Sequence, residues 1–236
     1  MNVVYQQHSQ MSSFTDSIFA HTSEIVFLRT FEDGSKSVVK LLAQNEERKG
    51  QEYRIMKALQ GKIRIPQVTK YAEIDLVYKN KKYLEMIVME YVPGSTIGVD
   101  MIYSKEEGKK IALQAIDLVQ NMHEAGFVHG DLHTRNFIWD GEKLTLIDFG
   151  RSYSIDLHQN VKRGTFQPTS EHVRNLCTEP PHASFIGDLY CDWERYSTVK
   201  HEYKDLALCL QHVIGRNLYK EVGPDLNKFR QVVQDL

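Results

Sequence analysis

Apolar and β-branched residues in the first part of the chain are grouped in short runs separated by turn signals. The runs Glu24–Phe31 (EIVFLRTF) and Lys36–Leu42 (KSVVKLL) flank the tetrapeptide EDGS, whose acidic and glycine residues are typical of tight turns. This pattern predicts a β-hairpin. A further run, Tyr83–Gly94 (YLEMIVMEYVPG), predicts a strand that ends in a Pro-Gly turn.

Two other segments have apolar residues at helical spacing. Asn45–Leu59 is rich in good helix formers and has acidic residues in its first turn. Ser104–Ala125 opens with the S-x-x-E pattern of a capping box and is followed by Gly126, a natural helix stop. Both segments are predicted to be helices, and about one further helix fits after Gly215.

Composition and charge are those of an ordinary globular protein. The chain has 236 residues, of which 42% are hydrophobic and 25% charged, and its formal net charge is −2. A sizeable core is therefore possible, and no charge bias favours nucleic acid or an acidic membrane as a partner. No apolar run approaches the roughly 20 residues that a membrane-spanning helix needs.

The cysteines and the N-terminus bear on the cellular compartment. Three cysteines, odd in number and widely spaced, argue against a disulfide framework and favour a reducing compartment. The N-terminus lacks the basic and apolar segments of a signal peptide. We therefore expect a cytoplasmic protein, although a secreted effector without a cleavable signal would share these features.

His172, Cys177, His182 and Cys191 suggest zinc, but their spacing matches no compact pair of zinc ligands.

The segment His129–Gly150, HGDLHTRNFIWDGEKLTLIDFG, carries the clearest chemical signal. It holds Asp131, then Asn136 five residues later, then Asp148 in a DFG triplet. Two short strands around the turn Asp140-Gly141 would bring Asn136 and Asp148 to one end of a hairpin. Phosphoryl transfer needs a carboxylate that orients the attacking hydroxyl, and oxygen ligands that hold Mg²⁺ on the phosphates. Asp131 can serve as the first, and Asn136 with Asp148 as the second.

This segment resembles the catalytic loop and metal-binding segment of the protein-kinase-like superfamily, H-R-D-L-x-x-x-N followed by D-F-G. Two positions depart from that pattern. Gly130 replaces the usual arginine, and His133 stands where most serine/threonine kinases have lysine. The form HGDLHxxN is closer to aminoglycoside phosphotransferases, bacterial lipopolysaccharide core kinases and small atypical protein kinases.

The resemblance implies an α+β fold of two lobes in a single domain, residues 1–236. A small antiparallel sheet with one helix would form the N-terminal lobe (N-lobe), about residues 1–91, followed by a hinge at about 90–94. The C-terminal lobe (C-lobe), about residues 95–236, would be mainly helical and truncated. This truncation leaves room for an accessory partner protein.

The resemblance also implies ATP and Mg²⁺ as cofactors. Lys40, in S-V-V-K, matches the strand lysine that contacts ATP phosphates. Glu52 is the expected ion-pair partner of Lys40, because the apolar Met56 one turn later faces the same side. The implied catalytic residues are Asp131, Lys40 and Asn136, and the implied metal ligands are Asn136 and Asp148. The other implied nucleotide-binding positions are Ile25 (stacking), Val38, Met89 (gatekeeper), Glu90 and Val92 (through their backbone) and Ile138.

The phosphate-covering loop departs furthest from the family pattern. Ile18, Ala20 and Ser23 occupy the three positions at which the family has glycine. The left-handed backbone conformations that glycine allows are therefore lost. We expect a stiffer loop and phosphate contacts that are weaker or differently made.

Three further assignments follow from the resemblance. The segment Gly164–Glu171 (GTFQPTSE) is similar to one that positions a peptide substrate, and Thr165 would then lie near the catalytic aspartate. Asp205 is expected to anchor the backbone of the catalytic loop. His129 is expected to pack in the core beneath Phe149 rather than to take part in chemistry.

Three functions remain open at this stage. The favoured one is phosphorylation of serine or threonine in a protein substrate, supported by GTFQPTSE. The second is phosphorylation of a small molecule, such as a sugar of the lipopolysaccharide core, supported by HGDLH. The third is a nucleotide-binding scaffold with weak transfer, supported by the glycine-free loop. The intact Lys, Asp, Asn and DFG set argues against outright loss of catalysis.

Overall fold

The structure, a computed structural model, describes residues 13–21, 24–43, 49–98, 101–155 and 199–236. Its first part is a five-stranded antiparallel sheet in the order β1-β2-β3-β5-β4. The strands are β1 (Phe14–His21), β2 (Ile25–Phe31), β3 (Lys36–Leu42), β4 (Val68–Tyr78) and β5 (Lys81–Glu90).

The predicted hairpin is confirmed as β2 and β3, which pair from Ile25↔Leu41 to Thr30↔Lys36. Gly34 in the connecting turn has φ 81°, a left-handed conformation that glycine adopts without strain. The predicted strand Tyr83–Gly94 is present as β5, although it begins two residues earlier and ends at Glu90.

The sheet has apolar side chains on both faces, because successive residues of a strand point to opposite sides. One cluster of buried residues includes Ile25, Val39 and Leu41 and belongs to the sheet alone. The other includes Leu42 and Ile87 and continues without interruption through the helices of both lobes. The second cluster therefore joins the two lobes.

The helix α1 (Gln51–Leu59) connects β3 and β4. It begins later than the predicted start at Asn45, since Gly50 has φ 70° and breaks the helical path. The backbone N–H of Gly50 instead donates to Glu85 Oε1 at 2.5 Å. Residues 44–48 lie outside the described part of the chain. α1 packs Ile55, Met56 and Leu59 into the cluster shared by the lobes.

The C-lobe is built around the long helix α2 (Lys105–Glu124). Its other described elements are β6 (Ser95–Thr96), β7 (Phe127–Val128), a 3₁₀ turn (Thr134–Asn136), β8 (Phe137–Trp139), β9 (Leu144–Leu146), β10 (Tyr153–Ser154), α3 (Val199–Ile214), α4 (Leu218–Val222) and α5 (Leu226–Gln234). Two helices follow Gly215 where the sequence suggested one, because the turn at Gly223 divides the segment.

Local signals in the C-lobe account for the ends of its elements. Ser104 caps α2 by accepting a hydrogen bond from the Glu107 N–H at 3.1 Å. The reciprocal half of the predicted capping box is replaced, since Glu107 Oε1 accepts from Trp139 Nε1 at 2.8 Å. The predicted turn after β8 is present, and Asp140 Oδ1 accepts from two backbone N–H groups within it.

The α+β class and the kinase-like arrangement are thus confirmed, with an antiparallel sheet and one helix first and a mainly helical part afterwards. Whether residues 1–236 act as one domain remains a prediction. Among the described residues, no helix combines the length and apolarity needed to cross a bilayer.

Candidate active site

The loop that carries Asp131 adopts a backbone that requires glycine. Gly130 has φ 77°, and a Cβ added there would lie 2.5 Å from the carbonyl oxygen of Arg151. Any larger residue would be strained and would collide with that backbone. The Gly130 N–H donates to Glu202 Oε1 at 2.6 Å. The departure from the family arginine is therefore a requirement of the local backbone.

Glu202 on α3, and not the expected Asp205, is the carboxylate that holds this loop. Its second oxygen lies 2.6 Å from His123 Nε2 on α2. Burial alone would raise the pKa of Glu202, but the His123 hydrogen bond and charge, aided by other neighbours, hold that pKa below its usual value. Asp205 lies one helical turn later, and burial, aided by the charge of Glu202, raises its pKa to about 7.

Asp131 lies partly exposed beside two basic side chains. Its Oδ2 is 3.7 Å from His133 Nε2 and 4.0 Å from Arg151 Nε. The Asp131 backbone oxygen accepts a hydrogen bond from Asn136 Nδ2 at 2.9 Å. Because the Asn136 amide nitrogen is used in this way, its oxygen faces away from that contact and can serve as a ligand.

Lys40 on β3 is surrounded by carboxylates from three parts of the chain. Its Nζ lies 2.8 Å from Glu52 on α1, 2.7 Å from Asp148 in the DFG triplet and 2.6 Å from Glu24 before β2. The expected contact between Lys40 and Glu52 is thus present. Glu24 was not singled out from the sequence. The sequence placed it at the start of the predicted strand Glu24–Phe31, directly after the glycine-free loop, and gave no signal for a role in the site.

Charge and burial act strongly on this cluster. Burial alone would lower the pKa of Lys40, but Asp148, Glu24 and Glu52 together hold that pKa well above its usual value. Burial raises the pKa of Glu52 to about 7, against the opposing effect of Lys40. The Lys40 charge lowers the pKa of Asp148 to about 2. Asp148 is therefore ionised at neutral pH, as a metal ligand must be.

The DFG triplet adopts a special backbone conformation. Asp148 has φ 65°, in the left-handed region that aspartate tolerates better than most residues. Phe149 is fully buried, and its ring centroid is 5.2 Å from that of His129. His129 Nε2 lies 3.0 Å from the Ile147 carbonyl oxygen. The expectation that His129 is a core residue beneath Phe149 is confirmed.

The strand register places Val26, rather than Ile25, on the face of the sheet that carries Lys40. Val26 pairs with Lys40 and therefore lies on the same face of the sheet as the Lys40 ammonium group. Ile25 is fully buried in the cluster on the opposite face, with Val39 and Leu41. The expected stacking position was thus displaced by one residue, which moves the side chain to the other face.

The other implied nucleotide-binding positions lie along β3, β5 and the C-lobe hairpin. Val38 and Met89 are direct cross-strand partners on the Lys40 face. Glu90 ends β5, and its N–H donates to the Gln67 carbonyl oxygen at 2.8 Å. Val92 is buried just beyond it, and Ile138 is half-buried on β8. The structure places these residues but does not test their contact with a nucleotide.

Several predicted positions lie outside the described residues. They are Ser23, Gly164–Glu171 with Thr165, and the four possible zinc ligands His172, Cys177, His182 and Cys191. The glycine-free loop is described in part. β1 and β2 remain paired up to His21↔Ile25, with an irregularity between Ile18 and Ala20.

The donor set fits a divalent cation bound to phosphate. Asp148 offers an ionised carboxylate of which 44% is exposed, and Asn136 offers an amide oxygen. Both are hard oxygen ligands of the kind Mg²⁺ prefers. Glu24, Glu52 and Asp148 also place carboxylate oxygens within 4.8 Å of one another. The Lys40 ammonium group already contacts all three, so that cluster has its own cation.

Comparison with known proteins gives a consistent result. A family model described as protein kinase domain matches residues 21–175, more than half of the chain. Serine/threonine-protein kinase 1 of African swine fever virus (isolate Pig/Kenya/KEN-50/1950) is 33% identical over 127 residues, covering 51% of this chain and 40% of the viral one. A probable bifunctional tRNA threonylcarbamoyladenosine biosynthesis protein of Methanosarcina barkeri is 32% identical over 142 residues, 49% of this chain and 26% of that one.

A third relative is the hormonally up-regulated neu tumor-associated kinase homolog A of Xenopus laevis. It is 33% identical over 137 residues, which cover 56% of this chain and 18% of the relative. The matched regions therefore span two fifths or less of the length of these three curated relatives.

Proposed function

The chain belongs to the protein kinase family, and from that membership we propose that it transfers a phosphoryl group from ATP to serine or threonine hydroxyls of a protein. The observation that carries the proposal is the position of Lys40, whose ammonium group contacts both Glu52 of the N-lobe and Asp148 of the C-lobe. A phosphate-binding cation, a carboxylate that orients it and a metal-binding carboxylate are thereby brought together.

Each residue of the site has a distinct role in this proposal. Asp131 would accept a hydrogen bond from the acceptor hydroxyl and take its proton as the hydroxyl oxygen bonds to the γ-phosphorus and the bond from that phosphorus to departing ADP breaks. Asn136 and Asp148 would hold Mg²⁺, and Lys40 would orient the phosphates. When bound, ATP would supply the transferable phosphoryl group, and Mg²⁺ would offset the negative charge of the phosphates. Glu202 keeps Asp131 in place by holding the backbone N–H of the preceding residue.

One observation favours a protein acceptor over a sugar, and a second removes an argument for the sugar. The relatives include viral serine/threonine-protein kinases that share about a third of their residues with this chain over the matched region. In addition, Gly130, one of the features that had suggested a sugar kinase, is explained by its left-handed backbone and the nearby Arg151 carbonyl oxygen. That departure therefore carries no information about the acceptor.

The test is phosphoryl transfer from labelled ATP with Mg²⁺ to a generic basic protein and, in parallel, to a core heptose acceptor. We expect labelled phosphoserine or phosphothreonine with the wild type and none with Asp131→Asn. Glu142→Gln is a matched control, because it removes one charge from an exposed side chain in the same segment. Turnover on the sugar alone would refute the protein acceptor, and no turnover on any acceptor, together with no ATP binding, would refute kinase activity.

A further inference from the structure

We propose that Glu24 is an autoinhibitory residue that competes with the phosphates of ATP for Lys40. The inference rests on the proposed ATP-dependent function and extends it by assigning a role to the carboxylate of the phosphate-covering loop. Glu24 Oε2 lies 2.6 Å from Lys40 Nζ, a position in which it competes with a phosphate oxygen for the ammonium group.

The contacts of Lys40 leave no donor for a phosphate. An ammonium group has three N–H donors. Lys40 directs them to three carboxylates, at 2.6 Å (Glu24), 2.8 Å (Glu52) and 2.7 Å (Asp148). A phosphate oxygen can therefore bind Lys40 only if one of these carboxylates moves away.

Glu24 is the partner best placed to move. The Glu52 side chain is 1% exposed and is held on α1, which packs into the core shared by both lobes. Asp148 belongs to the DFG triplet and must remain close to the phosphates to hold the metal. Glu24 precedes β2, outside any helix or strand, and its side chain is 22% exposed.

The DFG glycine makes room for Glu24 to reach Lys40. A Cβ added at Gly150 would lie 3.3 Å from Glu24 Oε1, closer than ordinary van der Waals contact. The strand register supports the same contact. Val26 pairs with Lys40, so β2 begins beside Lys40, and Glu24 directly precedes that strand.

The charge of the cluster adds to the competition. Three carboxyl groups surround one ammonium group at the place where the negative phosphates of ATP must bind. Burial and the neighbouring charges of Glu24 and Asp148 raise the pKa of Glu52 to about 7, which reflects this crowding. A divalent cation bound to the phosphates relieves the repulsion between them and these carboxyl groups. Glu24 should therefore make ATP binding more dependent on Mg²⁺.

The experiment is isothermal titration calorimetry of the full chain with ATP and with adenosine, each with Mg²⁺ and with EDTA. Glu24→Gln keeps the size of the side chain and removes its charge. We expect this variant to bind ATP in EDTA about fivefold or more tightly than the wild type, the effect of removing one partly buried ion-pair partner. Adenosine lacks phosphate, so its dissociation constant should not change.

Glu32→Gln is the matched control. Glu32 is exposed in the turn between β2 and β3, roughly 20 Å along the strand from Lys40 at about 3.3 Å per residue. The Glu32→Gln variant should bind ATP and adenosine as the wild type does. Thermal unfolding of each variant checks that it is folded. The side chain in Glu24→Asp is shorter and reaches Lys40 poorly, so its affinity for ATP in EDTA should lie between those of Glu24→Gln and the wild type.

The outcomes separate the inference from the proposed function. If ATP binds the wild type but Glu24→Gln binds it in EDTA no more tightly, the inference is overturned and the function stands. Weaker binding of Mg-ATP by Glu24→Gln would also overturn it, since Glu24 would then be a metal ligand. If neither protein binds ATP under any condition, the proposed function fails as well.

Discussion

Replacement of Gly130 by alanine tests whether the catalytic loop depends on a glycine backbone. The residue has φ 77°, and its added Cβ would lie 2.5 Å from the Arg151 carbonyl oxygen and 3.2 Å from the carbonyl carbon. Both contacts are with backbone, which cannot turn aside as a long side chain can. Gly130→Ala should therefore destabilise the protein through conformational strain and through steric overlap.

The magnitude can be worked out by comparison with a second glycine. An alanine in the left-handed region costs roughly 1–2 kcal/mol. Relief of overlap in a packed region costs a further 1–3 kcal/mol or so. Gly126 has φ 89° but no atom within 4 Å of an added Cβ, so Gly126→Ala should incur the first cost alone. We expect a loss of about 2–5 kcal/mol for Gly130→Ala and about 1–2 kcal/mol for Gly126→Ala.

Urea denaturation of the wild type and both variants, followed by circular dichroism, measures these differences in the free energy of unfolding. In thermal unfolding, each kcal/mol should lower Tm by about 2–4 °C in a chain of this size. Gly130→Ala should also reduce phosphoryl transfer at temperatures where it remains folded, because the displaced N–H loses Glu202. Equal destabilisation by the two variants would refute the collision with Arg151.

Three further predictions concern residues around the site. Asp131→Asn should keep the ATP dissociation constant and lower kcat by about 100-fold or more, whereas Asp148→Asn should weaken Mg-dependent ATP binding in calorimetry. An equal loss of ATP binding in the two variants would contradict their separate roles. Glu85→Gln should cost about 1–3 kcal/mol in thermal unfolding and lower kcat/KM, because its buried carboxylate holds the N–H of Gly50 just before α1. Replacement of its largely exposed cross-strand neighbour, Glu73→Gln, should change little. Burial raises the pKa of Asp205 to about 7, so the stability of the protein should fall as pH rises from about 4 to 7. Asp205→Asn should flatten this dependence of Tm on pH and should be more stable than the wild type at pH 8. An unchanged profile of Tm against pH would contradict the raised pKa.

The sequence predicted helices and strands well where residues next to each other in the chain determine where the element begins and ends. The β2–β3 hairpin depends on a turn tetrapeptide, and α2 depends on Ser104 and Gly126 at its ends, so neighbouring residues suffice. The start of α1 was misplaced for the opposite reason. Gly50 leaves the helical path because Glu85, 35 residues away, accepts its N–H. No local pattern shows that contact.

The error at Ile25 has a similar cause. Strand β2 has apolar residues on both faces, because one face packs into the sheet cluster and the other lies on the side of Lys40. Alternation of apolar and polar residues therefore does not indicate which face is which. Only the pairing of Val26 with Lys40 resolves the position, and a shift of one residue reverses the face.

The choice between Glu202 and Asp205 shows the limit of family patterns at a buried site. Both are acids on one face of α3, three residues apart, and either could be assigned to the loop from sequence. A buried carboxylate is costly unless its charge is balanced and its oxygens are hydrogen-bonded. His123 and the Gly130 N–H together satisfy Glu202 in this way. The same reasoning applies to Lys40, whose carboxylate partners include Asp148, 108 residues away along the chain. In both cases the buried charge is balanced by residues distant in sequence, which is why Glu24 and Glu202 emerge from the structure rather than from the sequence.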